Sequence, residues 1–489
     1  MNNYISVSKP LSSLLCLLLL GLAGFAAAGT PLSLKTALEE GVKGNLDIQR
    51  SELGSDGIDA QVDVAFRKYL PQLTVNGNVT RLWMDPAKVP NYEAWIASMA
   101  GAGPLNPNNA FMEVPINWNM TGDIKVSQLL YAPQALTGIK MAKKGKEIDA
   151  LGRQELKEGI IYGISMQYWS IVYMEENLAV LTKSRDNLVE MLKIVEAMMK
   201  QGLAKKSDLN ATLMSIADVN TQVDNLKTLI EGKKDALLQI MGRTIGTEID
   251  LTDRLSTGGG LDSIDRDSLY NRDITSKKVE QFFAERSAET QEIMHGDPLS
   301  GSITLKRMEQ QIKLQEMQID LTKEKIYPNI VAFASYGTDA KREKFDFYSS
   351  PQDKFKDNGT VGINVTIPVF DGMSNSAERS YARIQKRQIE IDMEKQKTTL
   401  QATYKDAKST LLNAQRLVVR NWAVVKISED NYFMKEAEYK EQIATITDLL
   451  KADSDMQRAY SNLFNALLSE KTAELALEQV LGLLHRRVQ

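Results

Sequence analysis

The chain has 489 residues but a single cysteine, Cys16, and two histidines, His295 and His485. One thiol excludes a disulfide framework, a zinc ribbon and thiol catalysis in a paired site. His295 lies in a segment between the two halves and His485 beside a basic terminus, and neither reads as catalytic. No nucleophile–base set and no glycine-rich phosphate loop is present, so neither an enzyme nor a cofactor is expected. An excess of either charge is also missing, with 59 basic against 63 acidic residues and a formal net charge of −4. Nucleic acid is therefore not expected as the main partner, because neutralising phosphates needs a basic excess. After residue 28 no apolar run approaches the ~18 residues that a spanning helix requires.

The first 28 residues read as an export signal. Lys9 supplies the basic start, Leu11 to Leu22 the apolar stretch, and Ala26, Ala27 and Ala28 the small-residue cleavage site. A lipoprotein signal ending at Cys16 is disfavoured, since Leu14 and Leu15 are large and the apolar stretch continues past the cysteine. The chain is thus exported, and if it crosses a membrane it does so with strands.

The remainder contains one unit twice. Tyr69-Leu70-Pro71-Gln72-Leu73 is echoed by Ile326-Tyr327-Pro328-Asn329-Ile330, and Leu129-Leu130-Tyr131-Ala132-Pro133 by Pro368-Val369-Phe370-Asp371-Gly372. Gly202-Leu203-Ala204-Lys205-Lys206-Ser207-Asp208-Leu209 is echoed by Gln442-Ile443-Ala444-Thr445-Ile446-Thr447-Asp448-Leu449. Three landmarks in the same order mark a duplication. The reading gives a signal at 1–28, a first repeat at 29–242, a connecting segment at 243–300 with Gly258-Gly259-Gly260, and a second repeat at 301–489. Each repeat runs helix, strand, polar loop, strand, very long helix, tight reversal and return helix. The loops fall at about 84–120 in the first repeat and about 339–359 in the second.

The strands alternate as a membrane barrel requires. Val361, Ile363, Val365, Ile367 and Val369 share one face, and Gly362, Asn364, Thr366 and Pro368 the other. Leu73, Val75, Gly77 and Val79 alternate with Thr74, Asn76, Asn78 and Thr80, with Trp83 near one end as an interfacial aromatic. Ile124, Val126 and Leu130 alternate more weakly, and Asn329 to Tyr336 most weakly of all.

Proline is absent from Gln134 to Gln201, and apolar residues recur at Leu178, Leu181, Leu188, Leu192, Val195 and Met199. The return segment continues with Leu209, Leu213, Ile216, Val219, Val223, Leu226 and Ile230, and the second repeat with Met456, Tyr460, Leu463, Leu467, Leu477, Leu481 and Leu484. Steps of three and four held for this long mark a coiled-coil seam. A helix of about seventy residues spans roughly 100 Å at about 1.5 Å per residue, the scale of a periplasm. Met198 and Met199 sit at seam spacing and read as packing, so no metal site is expected.

Four strands cannot close a barrel, and an open edge in lipid leaves costly unpaired backbone groups. The barrel must be shared between chains. Two chains give eight strands and an interior filled by side chains, whereas three give twelve and room for a lumen.

The duplicated layout, the Leu-Pro before the first strand, Pro-Val-Phe-Asp-Gly at 368–372 and the two reversals resemble the TolC-like outer membrane efflux proteins. The resemblance covers almost all of the chain after the signal. It implies an α plus membrane β fold: a homotrimer whose twelve-stranded β-barrel is continued by an α-helical coiled-coil tunnel. It also implies an outer-membrane channel with a large periplasmic extension, partnered by a periplasmic adaptor and an inner-membrane transporter, with outer-membrane lipid around the barrel. A periplasmic adaptor, or a structural coiled-coil protein of the envelope, is the alternative. Adaptors carry one hairpin flanked by soluble β domains, whereas this chain carries two and lacks such domains.

By the same resemblance the periplasmic end is gated where Tyr439 meets Asp208, with Ser207 and Asp448 beside them. The family's gating arginine is replaced by Ala444, and a second acidic position by Lys451, so the usual double acidic ring is not expected, although Asp453 and Asp455 are near. Read from the residues alone, Asp208 and Asp448 are candidates for helix N-caps. The resemblance further implies that Gly202, Leu203, Ala204, Gln442, Ile443 and Ala444 form the adaptor-docking tips. Gly202 permits a left-handed backbone at its turn, and Gln442 does so only at a cost, so the two tips are expected to differ in shape.

Overall fold

The computed structural model describes residues 30–81, 87–114, 118–255, 293–348 and 355–488. The export signal, Trp83, the triple glycine and most of the connecting segment lie outside the described residues. In chain order the elements are β1 (Thr30–Leu32), α1 (Leu34–Gly44), α2 (Leu46–Arg67), β2 (Gln72–Arg81), β3 (Ala87–Pro90), α3 (Tyr92–Met99), β4 (Phe111–Val114) and β5 (Trp118–Tyr131). Then follow α4 (Pro133–Lys200), α5 (Lys206–Met241), β6 (Ile249–Leu251), a single turn at Pro298–Gly301, α6 (Ile303–Glu324), β7 (Asn329–Arg342) and β8 (Lys356–Thr366). Last come α7 (Ser374–Lys440), α8 (Ile446–Leu481) and a terminal 3-10 turn at Leu484–Val488.

Element lengths repeat closely. Helices α2 and α6 have 22 residues each, α4 and α7 have 68 and 67, and α5 and α8 have 36 each. A finer correspondence lies at the ends of the return helices. Gly242 closes α5 with φ +71°, and a Cβ there would meet the Gly44 carbonyl oxygen at 2.1 Å. Gly482 closes α8 with φ +68°, and a Cβ there would meet the Gly301 carbonyl oxygen at 2.6 Å. In both repeats only glycine reconciles the left-handed cap with so close a backbone approach.

Two compact units emerge, and each draws on both repeats. One comprises the described residues within 1–51, 153–303 and 396–489, the other those within 52–152 and 304–395. The first is mainly helical. Its core gathers Ile164, Tyr168 and Ile171 of α4, Leu237 and Leu238 of α5, Val418 of α7, and Leu463 and Leu475 of α8. Tyr168 is its polar anchor. Its hydroxyl lies 2.9 Å from the Leu32 carbonyl and 2.6 Å from Asp253 Oδ2, and the same carboxylate oxygen accepts the Leu34 N–H at 2.8 Å. That network ties α4 to the parallel pair β1–β6. Burial, then the Asp253 hydrogen bond, pushes the Tyr168 hydroxyl far above the ordinary phenol range.

The second unit carries a four-stranded antiparallel sheet in the order β2-β5-β7-β8. Its register sorts the side chains cleanly. Leu73, Val126, Ala334 and Val361 stand in one row, and Val75, Ile124 and Tyr336 in another row on the same face. The opposite face carries Thr74, Lys125, Ser335 and Thr360, then Asn76, Asp123 and Asn358. Strands β2 and β8 form the two edges and are exposed almost throughout.

Three sequence expectations need correction here. The stretch at about 84–120 is not a plain loop: β3 pairs with β4, and Asn91 caps α3 through the Ala94 N–H. Strands β7 and β8 extend through Arg342 and from Lys356, which shortens the charged loop. Leu130, placed on the alternating face of β5, falls instead at a register shift between Leu129 and Tyr131. A bulge there releases it from the ladder.

Candidate functional site: the hairpin tips

Each long helix ends in an identical reversal. At the first tip Gly202 N–H donates to the Met199 carbonyl at 3.0 Å and Leu203 N–H to the Met198 carbonyl at 2.8 Å. At the second, Gln442 N–H donates to Tyr439 at 3.0 Å and Ile443 N–H to Glu438 at 2.8 Å. These are the paired bonds of a Schellman ending, which needs a left-handed residue between them. Gly202 has φ +75° and Gln442 φ +60°. The expected difference in tip shape is therefore absent. The hydrogen bonds over-determine the turn, and Gln442 accepts the left-handed strain of roughly 1–2 kcal/mol that Gly202 avoids.

The return helices start alike but are capped unequally. Thr445 is the N-cap of α8: its hydroxyl accepts the Asp448 N–H at 3.2 Å, and Asp448 Oδ2 accepts the Thr445 N–H at 3.1 Å. This reciprocal box satisfies two helix-end donors. At the first tip only half survives. Asp208 Oδ2 accepts the Lys205 N–H at 3.0 Å, and Lys205 has no side-chain acceptor to return the bond. Both aspartates thus sit at the third helical position and are not N-caps. Thr445, with Lys435 and Lys451 further out, holds the Asp448 carboxyl below its usual range.

Tyr439 is 6% exposed and packs with Met191 and Val195 of α4, Tyr432 of α7, and Ile446, Leu449 and Ala452 of α8. Ala204 and Leu209, from the first reversal, pack on the same cluster. The two reversals therefore pack on one cluster that contains Tyr439, while Asp208, Ser207 and Asp448 lie outside it. No hydrogen bond joins the Tyr439 hydroxyl to Asp208, whose Oδ1 faces the Ser207 hydroxyl at 3.2 Å. The two are near enough that, after burial, the Asp208 charge is the second influence raising the Tyr439 hydroxyl. Leu203 is 54% exposed and Ile443 76%, at equivalent places on the two tips, while Ala444 is half-buried.

Asp453, two residues beyond Lys451, is an interior residue. It is 3% exposed, and its Oδ2 receives the Ser184 hydroxyl at 2.7 Å and Gln457 Nε2 at 2.5 Å. Burial raises its carboxyl above the usual range. A sequence signal existed: Asp453 lies three residues before Met456 and seven before Tyr460 on the seam of α8, and Ser184 lies between Leu181 and Leu188 on that of α4. Among the described residues no cluster of three or more His, Cys, Asp or Glu could hold a metal, and no helix is long and apolar enough to cross a membrane.

Residues 297–483 match the model of the outer membrane efflux protein family. No curated protein matches the chain by sequence. Solved structures resemble it closely in fold at low identity. CusC, described with transmembrane channel formation, shares 14% identity at a TM-score of 0.65, with 94% of each chain covered. The outer membrane protein VceC of Vibrio cholerae shares 14% at 0.63, covering 92% of this chain and 96% of its own. The CmeC outer membrane channel of Campylobacter jejuni shares 13% at 0.64, covering 92% and 85%.

Proposed function

We propose that this chain is the subunit of an outer-membrane efflux channel. The observation that carries this reading is the four-stranded sheet, with one face of Leu, Val and Ile, one of Thr, Asn, Asp and Lys, and two exposed, unpaired edges. In water such a sheet exposes too much apolar surface, and in lipid its edges are intolerable; pairing edge to edge between copies relieves both. Three copies give twelve strands with a polar lumen. The efflux-family match over the second repeat and the fold shared with outer-membrane channels support the same assembly.

In this reading the helical unit extends the conduit into the periplasm and the hairpin tips form its inner end. Tyr439, Asp208, Ser207 and Asp448 hold the closed state. Gly202, Leu203, Ala204, Gln442, Ile443 and Ala444 receive a periplasmic adaptor, with Leu203 and Ile443 as exposed apolar knobs. An inner-membrane transporter delivers the cargo. Mass measurement of the detergent-solubilised protein, combined with planar-bilayer recording, tests the proposal. A conducting trimer is expected; a stable monomer, or a trimer without conductance, overturns it.

A further inference from the structure

Between α4 and α7, toward the tips, a cavity of about 450 Å³ opens in the helical unit. That volume suits a drug-sized molecule. Its apolar wall is made by Met191, Ile194 and Met456 with the rings of Tyr432 and Phe433. Four carboxylates, Glu176, Glu190, Glu429 and Glu436, line it against two ammonium groups, Lys183 and Lys440.

Most of these charges are engaged. Lys440 pairs with Glu436 at 2.7 Å, Glu176 lies 3.8 Å from Arg254, and Glu429 accepts the Tyr460 hydroxyl. Glu190 has no ion pair among the described residues. Asp453 backs the wall through Ser184, which itself lines the cavity, and its Oδ1 has no hydrogen-bond partner. The sign of the local field is registered by a neutral neighbour. The Tyr432 hydroxyl is pushed up to about 12, by burial first and then by the charges of Asp453, Glu436 and Glu190.

We propose that this cavity binds a lipophilic organic cation, its body against Met191, Ile194 and Phe433 and its positive charge toward Glu190 and Glu436. Methionines fit irregular apolar shapes, and aromatic faces attract delocalised cations. An anion would meet the carboxylates, and a small hydrated ion would leave the apolar wall wet. The site goes beyond the channel reading and is independent of it, because equilibrium binding and conductance are separate measurements.

The test uses tetraphenylphosphonium and tetraphenylborate, near-isosteric ions of opposite charge, in equilibrium dialysis with the purified full-length protein. Saturable binding of the phosphonium alone is expected, weakened about tenfold by Glu190→Gln with Glu436→Gln, since close opposite charges in partly desolvated sites contribute at this scale. Ala179→Trp, which fills the mouth from an exposed position on α4, should abolish binding. Retained helical circular dichroism in each variant confirms folding. Equal binding of both ions, or phosphonium binding unaffected by the charge variants, overturns the proposal even if the protein conducts.

Discussion

Gln442 and Gly202 occupy the same place on two hairpin tips and share a left-handed backbone, at φ +60° and +75°. One residue type adopts it freely and the other against steric cost, yet the hydrogen bonds around them match within about 0.2 Å. Gln442→Gly should therefore stabilise the second tip by about 1 kcal/mol. Hydrogen exchange at the Ile443 amide reads this directly, and about fivefold slower exchange is expected. Gly202→Gln at the first tip should do the reverse. Unchanged exchange in both variants would mean that the turn carries no strain.

The sheet register predicts which face meets lipid. Val361, 86% exposed near the middle of β8, stands in the row of Leu73, Val126 and Ala334. Thr360, its neighbour, faces the other way with Thr74, Lys125 and Ser335. Val361→Arg should cost roughly 2–4 kcal/mol at the bilayer midplane and reduce assembled trimer. Thr360→Arg should assemble and alter ion selectivity. Equal yields of trimer from the two variants would count against this assignment of faces.

Asp453 gives a prediction with a pH sign. Its carboxyl titrates above the unfolded value because it is buried, so protonation favours the folded state. That contribution is complete below the unfolded value and is lost as pH rises through the raised one. When ionised, the buried carboxylate relies on Ser184 and Gln457, so at pH above its raised titration Ser184→Ala should destabilise by about 1.5–3 kcal/mol. Asp453→Asn should flatten the pH dependence of the helical melting midpoint and remove most of the penalty of Ser184→Ala. If Ser184→Ala is equally harmful with Asn at 453, the hydroxyl serves some other contact.

The alternation of β2 and β8 was legible because both faces are sharply different in character. Strand β7 was not, because Ala332 and Ala334 on the apolar face and Phe333 on the other leave little contrast. Within the first repeat's loop, Tyr92, Trp95, Ile96 and Met99 recur at steps of three, one and three, a helical signal obscured by the prolines around it. Gly44 and Gly301 could not be read at all, since each matters only through a return helix arriving from far along the chain. Residue type also misled at Gln442, where local preference yielded to the hydrogen bonds of the turn.

The gate prediction rests on Tyr439 and Asp208. The tyrosine ring is held by packing from both hairpins, and its hydroxyl feels the Asp208 charge without being hydrogen-bonded to it. In the closed state of the proposed trimer the hydroxyl is expected to donate to that carboxylate, a charge-assisted bond contributing about 1.5–3 kcal/mol in each of three copies. Tyr439→Phe removes only the hydroxyl, so it should raise conductance while trimer stability stays nearly unchanged. Asp208→Asn keeps an oxygen that can still accept the Lys205 N–H, so the start of α5 should survive while the charge is lost. Both substitutions should open the channel to a similar degree, and combining them should add little, since they break one contact. Ala444 cannot supply the arginine lock of the resembled family, so a single loss is expected to suffice. Single-channel recording decides the matter: wild-type conductance in Tyr439→Phe would leave Asp208 as a helix-capping residue alone and move the gate elsewhere on the tips.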